Sequence, residues 1–190
     1  MQERQVTVDG ETRPLPRPFM VMATQNPIEQ EGTFPLPEAQ LDRFLLTLRP
    51  GYPSAAEEEE ILTRFADHDP LDDVAGIASA NELIELQAMR RQIHVGDDVR
   101  NYLVSLVRAT RDDNRIRLGA SPRASQNLFA AAQAYAALQG RDFVVPDDVQ
   151  KLAVPVLAHR LVLGIDATLG GQSKEAMIAD LLRTIPVPVD

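Results

Sequence analysis

The strongest constraint on the fold is a set of apolar stripes with helical spacing in the second half of the chain. Apolar residues there recur every three or four positions, which places them on one face of an α-helix. The clearest stripes are Val99, Tyr102, Leu103, Leu106, Val107 and Thr110; Leu128, Phe129, Ala132, Tyr135 and Ala136; and Val149, Leu152, Ala153, Val156, Leu157 and Leu161. Because each one-sided helix needs a partner to cover its stripe, the chain from Ala80 onward is predicted to form a helical bundle with its own core.

Residue types that are common at helix ends predict further helices and the positions where they begin or end. Ser121-Pro122 is typical of a helix start, with serine as N-cap and proline in the first turn. Pro146-Asp147-Asp148 indicates another start, although Val145 is a poor cap there. A weaker stripe of Leu83, Leu86, Met89 and Ile93 predicts one more helix, and Ile178, Leu181 and Leu182 predict a last helix after the break at Gly170-Gly171.

The first fifty residues have strand-like rather than helical patterns. Asp9-Gly10 between two short polar-apolar runs predicts a two-residue hairpin. The apolar runs Phe19–Ala23 and Phe44–Leu48 lack alternation, which indicates strands buried on both faces of a parallel sheet. Between them, residues 25–37 are predicted to be a loop, and residues 38–43 a short helix.

Pro50-Gly51-Tyr52-Pro53 is the predicted boundary between the two kinds of pattern. Residues 1–53 are assigned to the strand-containing part and residues 54–190 to the helical part. Ser54 is expected to cap a helix whose first turns carry Glu57 to Glu60, where negative charge is favourable. The predicted fold class is therefore mainly α with a small β part.

Composition excludes several classes of function. The 190 residues include 19 basic and 28 acidic side chains, a net charge of −9, which disfavours binding to nucleic acid or anionic membranes. No cysteine is present, and the three histidines show no spacing typical of metal ligands, so no metal site is predicted. No apolar run is long enough to span a bilayer, and we expect a cytoplasmic protein without membrane insertion.

Three positions could carry chemistry, and each has a structural alternative. Asn26 follows a predicted strand, where ligands bind in open α/β sheets, but Asn-Pro is also a common turn pair. Arg43 ends a short helix and could reach a phosphate on a neighbouring subunit, or simply stabilise that helix end. Arg123 lies in the first turn of a helix, where a cation opposes the dipole, so either a bound phosphate or a surface ion pair accounts for it.

The order and spacing of these residues resemble one family. The segments concerned are Asn26-Pro27, the loop from Glu29 to Ala39, Leu41-Asp42-Arg43-Phe44 and Gly119-Ala120-Ser121-Pro122-Arg123-Ala124. Together they resemble the MoxR-type AAA+ ATPases over nearly the whole chain, and the stretch from Ala23 to Phe44 is the most specific. The resemblance implies a truncated α/β AAA+ core that ends near residue 53, followed by an α-helical lid.

The resemblance also implies roles for the three residues. Asn26 would be sensor 1, which orients the attacking water and reads the γ-phosphate. Arg43 would be an arginine finger that acts on the nucleotide of the next subunit, and Arg123 would be sensor 2, which reaches the γ-phosphate from the lid. The family works with ATP and Mg²⁺, in rings that are typically hexamers, and is chaperone-like, often with partners that hold a von Willebrand factor A domain.

The sequence departs from the family by lacking its nucleotide-holding segments. No Gly-Lys pair occurs, so there is no P-loop, and no apolar strand ends in Asp-Glu, so there is no Walker-B pattern. We therefore expect that the chain alone binds neither ATP nor Mg²⁺ completely and does not hydrolyse ATP. In the family, the run resembling Met1-Gln2-Glu3-Arg4 follows Walker B, so Met1 is expected to be an internal position of a longer form.

Two other classes of function remain open at this stage. One is a non-catalytic helical assembly module in which the phosphate-sensing residues are relics. The other is a helix-turn-helix DNA-binding protein, which adjacent lid helices can mimic but which the net charge of −9 disfavours. The client, the ring size and the independent folding of residues 1–53 do not follow from the sequence.

Overall fold

The structure is a computed structural model that describes residues 5–25 and 36–188. Helices dominate, and the mainly α prediction with a small β part is confirmed. The helices are α1 (Glu38–Leu41), α2 (Ala55–Arg64), α3 (Ala80–Met89), α4 (Asp97–Asp112), α5 (Pro122–Leu138), α6 (Pro146–Leu157), α7 (Ile165–Leu169) and α8 (Lys174–Thr184). The strands are β1 (Gln5–Val8), β2 (Glu11–Pro14), β3 (Ile116–Leu118) and β4 (Val162–Leu163).

The core is formed by α4, α5, α6 and α8, as the apolar stripes predict. The largest side chains that are almost completely buried are Leu103, Leu106, Val107, Thr110, Leu128, Val149, Val156, Leu157, Leu161, Met177 and Ile178. Helix α5 packs along α6, and α4 packs against α5, α6 and α8. Burying a Leu or Ile side chain contributes about 1.5–3 kcal/mol, so this cluster stabilises the helical part.

The predicted hairpin is confirmed at the start of the chain. Strands β1 and β2 pair antiparallel, with Val8 opposite Glu11. Asp9 and Gly10 have φ values of 52° and 83°. Two consecutive positive φ angles match a type I′ turn, whose twist suits the two strands that it joins.

The helix starts confirm most of the capping predictions. Ser54 caps α2 by accepting from the Glu57 N–H, and the Glu57 carboxylate accepts from the Ser54 N–H in return. At α6, the Val145 side chain cannot cap, and its N–H instead donates to the Asp148 carboxylate at 2.9 Å. Asp148 also accepts from Arg141 at 2.6 Å, so this helix start is fixed by an ion pair.

The prediction of two buried strands is wrong. Neither Phe19–Ala23 nor Phe44–Leu48 is a strand, and Met20, Met22 and Leu48 are 72–81% exposed. A strand needs a neighbour for its N–H and C=O groups, and the sheets described in the structure are only β1–β2 and β3–β4. Residues 44–48 instead lie against the C-terminal end of α6, where the Thr47 N–H donates to the Pro155 carbonyl at 2.9 Å.

The helix predicted from the stripe of α3 is confirmed, but its apolar side chains lie outside the core. The helix forms, with Ser79 as its capping residue, but Leu83, Leu86 and Met89 are 43–58% exposed. Ile93 lies beyond the helix, after a 3₁₀ turn at residues 90–92, and packs against the core from there. The buried cluster therefore excludes α3, because the described residues place no partner over its apolar side.

Membrane-spanning helices and clusters of metal-binding side chains are both absent from the part of the chain that the structure describes. Within residues 5–25 and 36–188, no helix has both the length and the apolar character needed to cross a bilayer. The same part of the chain holds no group of three or more His, Asp or Glu side chains placed to share a metal ion.

Residues before Pro53 are predicted to be less stable than the helical part. Exposed apolar side chains and unpaired backbone groups give this segment little to lose on opening, whereas α4, α5 and α6 are held by the core. Amide hydrogen exchange should show protection at residues 19–23 and 48–49 at least tenfold lower than in α4 and α5. Equal protection in the two regions would contradict this view, unless size measurements show that the segment pairs with another chain.

Candidate functional site

The candidate site is centred on the carboxylate of Asp42, which directly follows α1. Three side chains from the helical part donate to it. Ser121 Oγ lies 3.0 and 3.1 Å from its two oxygens, Arg123 Nη1 lies 2.9 Å from Oδ2, and Arg160 Nε lies 3.1 Å from Oδ1. We call Asp42, Ser121, Arg123 and Arg160 the junction cluster. It joins the end of the strand-containing part to the helical part.

Arg160 is the buried member of the junction cluster. Its side chain is 1% exposed and donates to the carbonyl oxygens of Phe44, Leu45 and Val156 in addition to Asp42. Burial lowers the pKa of Arg160, and the Asp42 carboxylate opposes that shift. Arg160 therefore ties residues 42–45 to the C-terminal end of α6, which explains why these residues do not form a strand.

Arg123 reaches the junction cluster because of where α5 begins. Ser121 is the N-cap residue, as predicted, but its side chain makes no capping bond and donates to Asp42 instead. Arg123 follows in the first turn of the helix, with 34% of its side chain exposed. The ion pair with Asp42 compensates for a cation at the positive end of the helix dipole.

The link before α5 is clamped against the end of α4. The Ala120 N–H donates to the buried Thr110 Oγ1 at 3.0 Å, and Arg111 Nε donates to the Ala120 carbonyl at 2.8 Å. A Cβ on Gly119 would lie 2.6 Å from the Thr110 carbonyl oxygen and 2.8 Å from Arg111 Cα. Glycine is therefore required at position 119, and the close approach fixes the position from which Arg123 projects.

The structure describes Arg43 but not Asn26. Arg43 is exposed, beside Asp42 in the chain, and no ion pair described for residues 5–25 and 36–188 includes it. An exposed guanidinium next to the junction cluster is compatible with contact to another subunit. Asn26 lies outside the described residues, as does most of the loop from Glu29 to Ala39, so their predicted roles stay predictions.

The Asp42 carboxylate faces two guanidiniums, those of Arg123 and Arg160. The Arg123 side chain is partly exposed, at 34%, whereas that of Arg160 is buried. A partly exposed guanidinium suits a bound phosphate, which accepts paired N–H donors as a carboxylate does.

His159 lies beside the junction cluster and is held neutral. Its Nε2 is 3.4 Å from the Phe44 carbonyl oxygen. Burial, with the positive charge of Arg160 as the second cause, lowers the pKa of His159 to about 4. The neutral form of this side chain is therefore part of the folded state at neutral pH.

Sequence reasoning missed most of the junction cluster. Arg43 and Arg123 were singled out, but Asp42 and Arg160 were not, and Ser121 was assigned only a capping role. Asp42 and Arg160 are 118 positions apart, so no local spacing connects them. The available signal was an arginine inside an apolar helical stretch, since a buried guanidinium requires a carboxylate partner.

Comparison with known proteins identifies the class to which this arrangement belongs. Residues 1–46 match the model of the ATPase family associated with various cellular activities (AAA), and residues 108–181 match the AAA lid domain. The chain is thus the end of an AAA+ ATPase core joined to its lid, and the junction cluster lies where the two meet.

The relatives specify the branch. The chain is 46% identical over 189 residues to the uncharacterized protein YeaC of Bacillus subtilis, covering 100% of this chain and 59% of that protein. It is 44% identical over 197 residues to the chaperone MoxR1 of Mycobacterium tuberculosis, covering 99% and 52%. A crystal structure of a candidate ATPase from Cytophaga hutchinsonii superposes with a TM-score of 0.90 at 36% identity, covering 99% and 60%. The chain belongs to the MoxR family of AAA+ ATPases and spans about half to three fifths of these relatives' length.

Gly119→Ala is expected to lower the free energy of unfolding and thereby to disturb the junction cluster. The added Cβ meets the backbone at the end of α4, and overpacking of this kind costs about 1–3 kcal/mol. Urea denaturation should show that loss in the free energy of unfolding. Gly96→Ala is the control, because a Cβ there meets nothing within 4 Å and φ is −58°. Equal stability of the two variants would mean that the α4–α5 link yields without cost.

His159 predicts a pH dependence of stability. Its pKa is about 4 in the folded state and near 6.5 when unfolded, so the unfolded chain binds the extra proton first. The resulting stability is fully present above about pH 6.5 and is lost as the pH falls toward 4. Between pH 7.5 and 5, His159→Gln should lose less free energy of unfolding than the unsubstituted chain, by roughly 1–2 kcal/mol. His94→Gln, at an exposed histidine, is the control, and a parallel loss in both variants would exclude His159 as the cause.

Proposed function

We propose that this chain is the part of a MoxR-like ATPase that senses nucleotide phosphates and acts on the ATP of a neighbouring subunit. One observation carries the proposal. Arg123, the predicted sensor 2, is ion-paired to Asp42, and the next residue, Arg43, is exposed. Asp42 therefore connects Arg123 of the lid with the core segment that carries Arg43.

The roles follow from the chemistry of phosphoryl transfer. That reaction is catalysed mostly by positioning and by stabilising negative charge, which is what guanidinium groups supply. In this proposal Arg43 contacts the nucleotide of the next subunit, and Arg123 contacts the γ-phosphate of its own. Asn26 would orient the attacking water, a role that rests on the sequence pattern alone.

The residues present fit only part of a nucleotide site. The guanidiniums suit phosphate oxygens, but the sequence contains no P-loop and no Walker-B pattern. Nothing among the described residues is arranged to hold Mg²⁺. We therefore infer that the isolated chain does not hydrolyse ATP, and that ATP and Mg²⁺ are bound together with P-loop and Walker-B residues from elsewhere.

The activity of the whole protein is proposed from its relatives. One of them is named a chaperone, which supports coupling of ATP binding and hydrolysis to the assembly or activation of partner complexes. A trans-acting arginine requires a ring, and we propose a hexamer in the cytoplasm. Proteins with a von Willebrand factor A domain are the proposed partners.

A non-catalytic assembly module is the second candidate. The observation in its favour is the exposed apolar surface of α2 and α3, which includes Leu62, Phe65, Leu86 and Met89 at 57–74% exposure. Such a surface suits contact with another protein. This candidate gives no reason for an exposed arginine beside the Arg123–Asp42 pair, and it predicts a defined oligomer in the absence of nucleotide.

An ATPase assay with separated segments tests the proposal. The chain alone should release no phosphate above the buffer blank, whereas addition of a segment carrying the P-loop and Walker-B residues should restore hydrolysis. In the restored mixture, Arg43→Ala should lower the rate by roughly 10³–10⁵-fold, because a finger stabilises transition-state charge. Arg91→Ala is the matched control, since Arg91 is also exposed but lies outside the junction cluster.

Two results would contradict the proposal. Robust hydrolysis by the isolated chain would refute the inference that it needs a P-loop from elsewhere. Equal rates for Arg43→Ala and Arg91→Ala in the restored mixture would refute the role of Arg43. A stable oligomer without nucleotide, combined with no hydrolysis in any mixture, would favour the assembly module.

A further inference from the structure

We propose that Asp42 is a positioning residue for Arg123: its carboxylate holds the guanidinium at the junction of core and lid and competes for it with a nucleotide phosphate. The positioning half rests on the geometry of the junction cluster. The phosphate half rests on the proposed function and deepens it, because it names what Arg123 must leave in order to reach the nucleotide.

Asp42 is shared by donors of different kinds. Its Oδ2 accepts from Arg123 at 2.9 Å and its Oδ1 from Arg160 at 3.1 Å, while the Ser121 hydroxyl lies within 3.1 Å of both oxygens. With a donor on each oxygen and a hydroxyl between them, the carboxylate has a fixed orientation. A fixed carboxylate fixes the guanidinium that binds it.

Arg160 and Arg123 are held differently. Arg160 has 1% of its side chain exposed and also donates to the carbonyls of Phe44, Leu45 and Val156. Arg123 has 34% of its side chain exposed and projects from the first turn of α5. Arg160 can therefore keep Asp42 in place while Arg123 exchanges Asp42 for another anion.

A nucleotide phosphate can compete with Asp42 for Arg123 because both are oxygen anions. A guanidinium binds carboxylate and phosphate oxygens through the same kind of N–H donor, so a phosphate that accepts from Arg123 Nη1 displaces Asp42 from that donor. When Arg123 leaves, Asp42 still has Arg160 and Ser121 as donors and is not stranded as an unpaired charge. The exchange therefore avoids the main penalty of breaking a partly buried ion pair.

The positioning half is tested by the mobility of the arginine side chains. Nitrogen-15 NMR measures rotation about the Cζ–Nε bond, which slows when a guanidinium is held. In the unsubstituted chain, Arg123 should rotate at least tenfold more slowly than the exposed Arg91, and Asp42→Asn should remove most of that difference. Asp166→Asn, which changes the charge equally at an exposed position of α7, should leave Arg123 slow.

Either of two results overturns the positioning half. One is rotation of Arg123 as fast as that of Arg91 in the unsubstituted chain, a measurement that needs no variant to fold. The other is slow rotation of Arg123 in folded Asp42→Asn. Either result would leave Asp42 as a structural partner of Arg160 alone.

The phosphate half is tested with inorganic tripolyphosphate as the probe. If Asp42 competes for Arg123, Asp42→Asn should bind the probe about tenfold more tightly than the unsubstituted chain, whereas Asp166→Asn should not. The gain should disappear in Asp42→Asn with Arg123→Gln. Equal affinities of Asp42→Asn and Asp166→Asn overturn the competition. No binding by any chain, with Arg123 held by Asp42 in the NMR experiment, counts against the proposed function and leaves the positioning role intact.

Discussion

The ion pair between Asp42 and Arg160 is the interaction on which the rest of the junction depends. Arg160 is buried at the end of the helical core, and a buried guanidinium without a carboxylate would cost about 3–5 kcal/mol. Asp42 supplies that carboxylate from the other part of the chain. The position of residues 42–47 against α6 is therefore a consequence of neutralising one charge, and not of strand pairing.

The same carboxylate connects the fold with the candidate chemistry. Because Asp42 is held by Arg160, it stands at a defined place from which it binds Arg123, and Arg43 follows it in the chain. On the opposite side, Gly119 lets the link before α5 approach α4 closely, which sets the origin of Arg123. Structural restraints from two directions therefore determine where these arginines can act.

Sequence patterns predicted the helical part well because its elements are determined locally. The stripe of α4 and the start of α5 at Ser121-Pro122 can be read within one or two turns, and their partners are helices of the same bundle. The strand predictions at Phe19–Ala23 and Phe44–Leu48 failed because a strand is defined by its neighbour. An apolar run shows the capacity to be buried in a sheet, but not whether a paired strand is present.

The candidate site, like the fold, has features that local sequence patterns predict and features that they do not. Arg43 and Arg123 could be singled out because each stands in a recognisable segment at the end of an element. Their relation through Asp42 could not, because it depends on contacts across 81 and 118 positions of the chain. Such contacts follow from the packing of α5 and α6, which no spacing rule encodes.

A carboxylate at the junction also resolves a conflict that the sequence leaves open. Arg123 at the positive end of α5 is unfavourable unless an anion is present, and either a surface ion pair or a phosphate would satisfy it. In our proposal these alternatives are successive states of one residue, since Asp42 is an anion that would retain two other donors when Arg123 departs. An arginine that must respond to a nucleotide needs a partner in its absence, and a shared carboxylate provides one without stranding a charge.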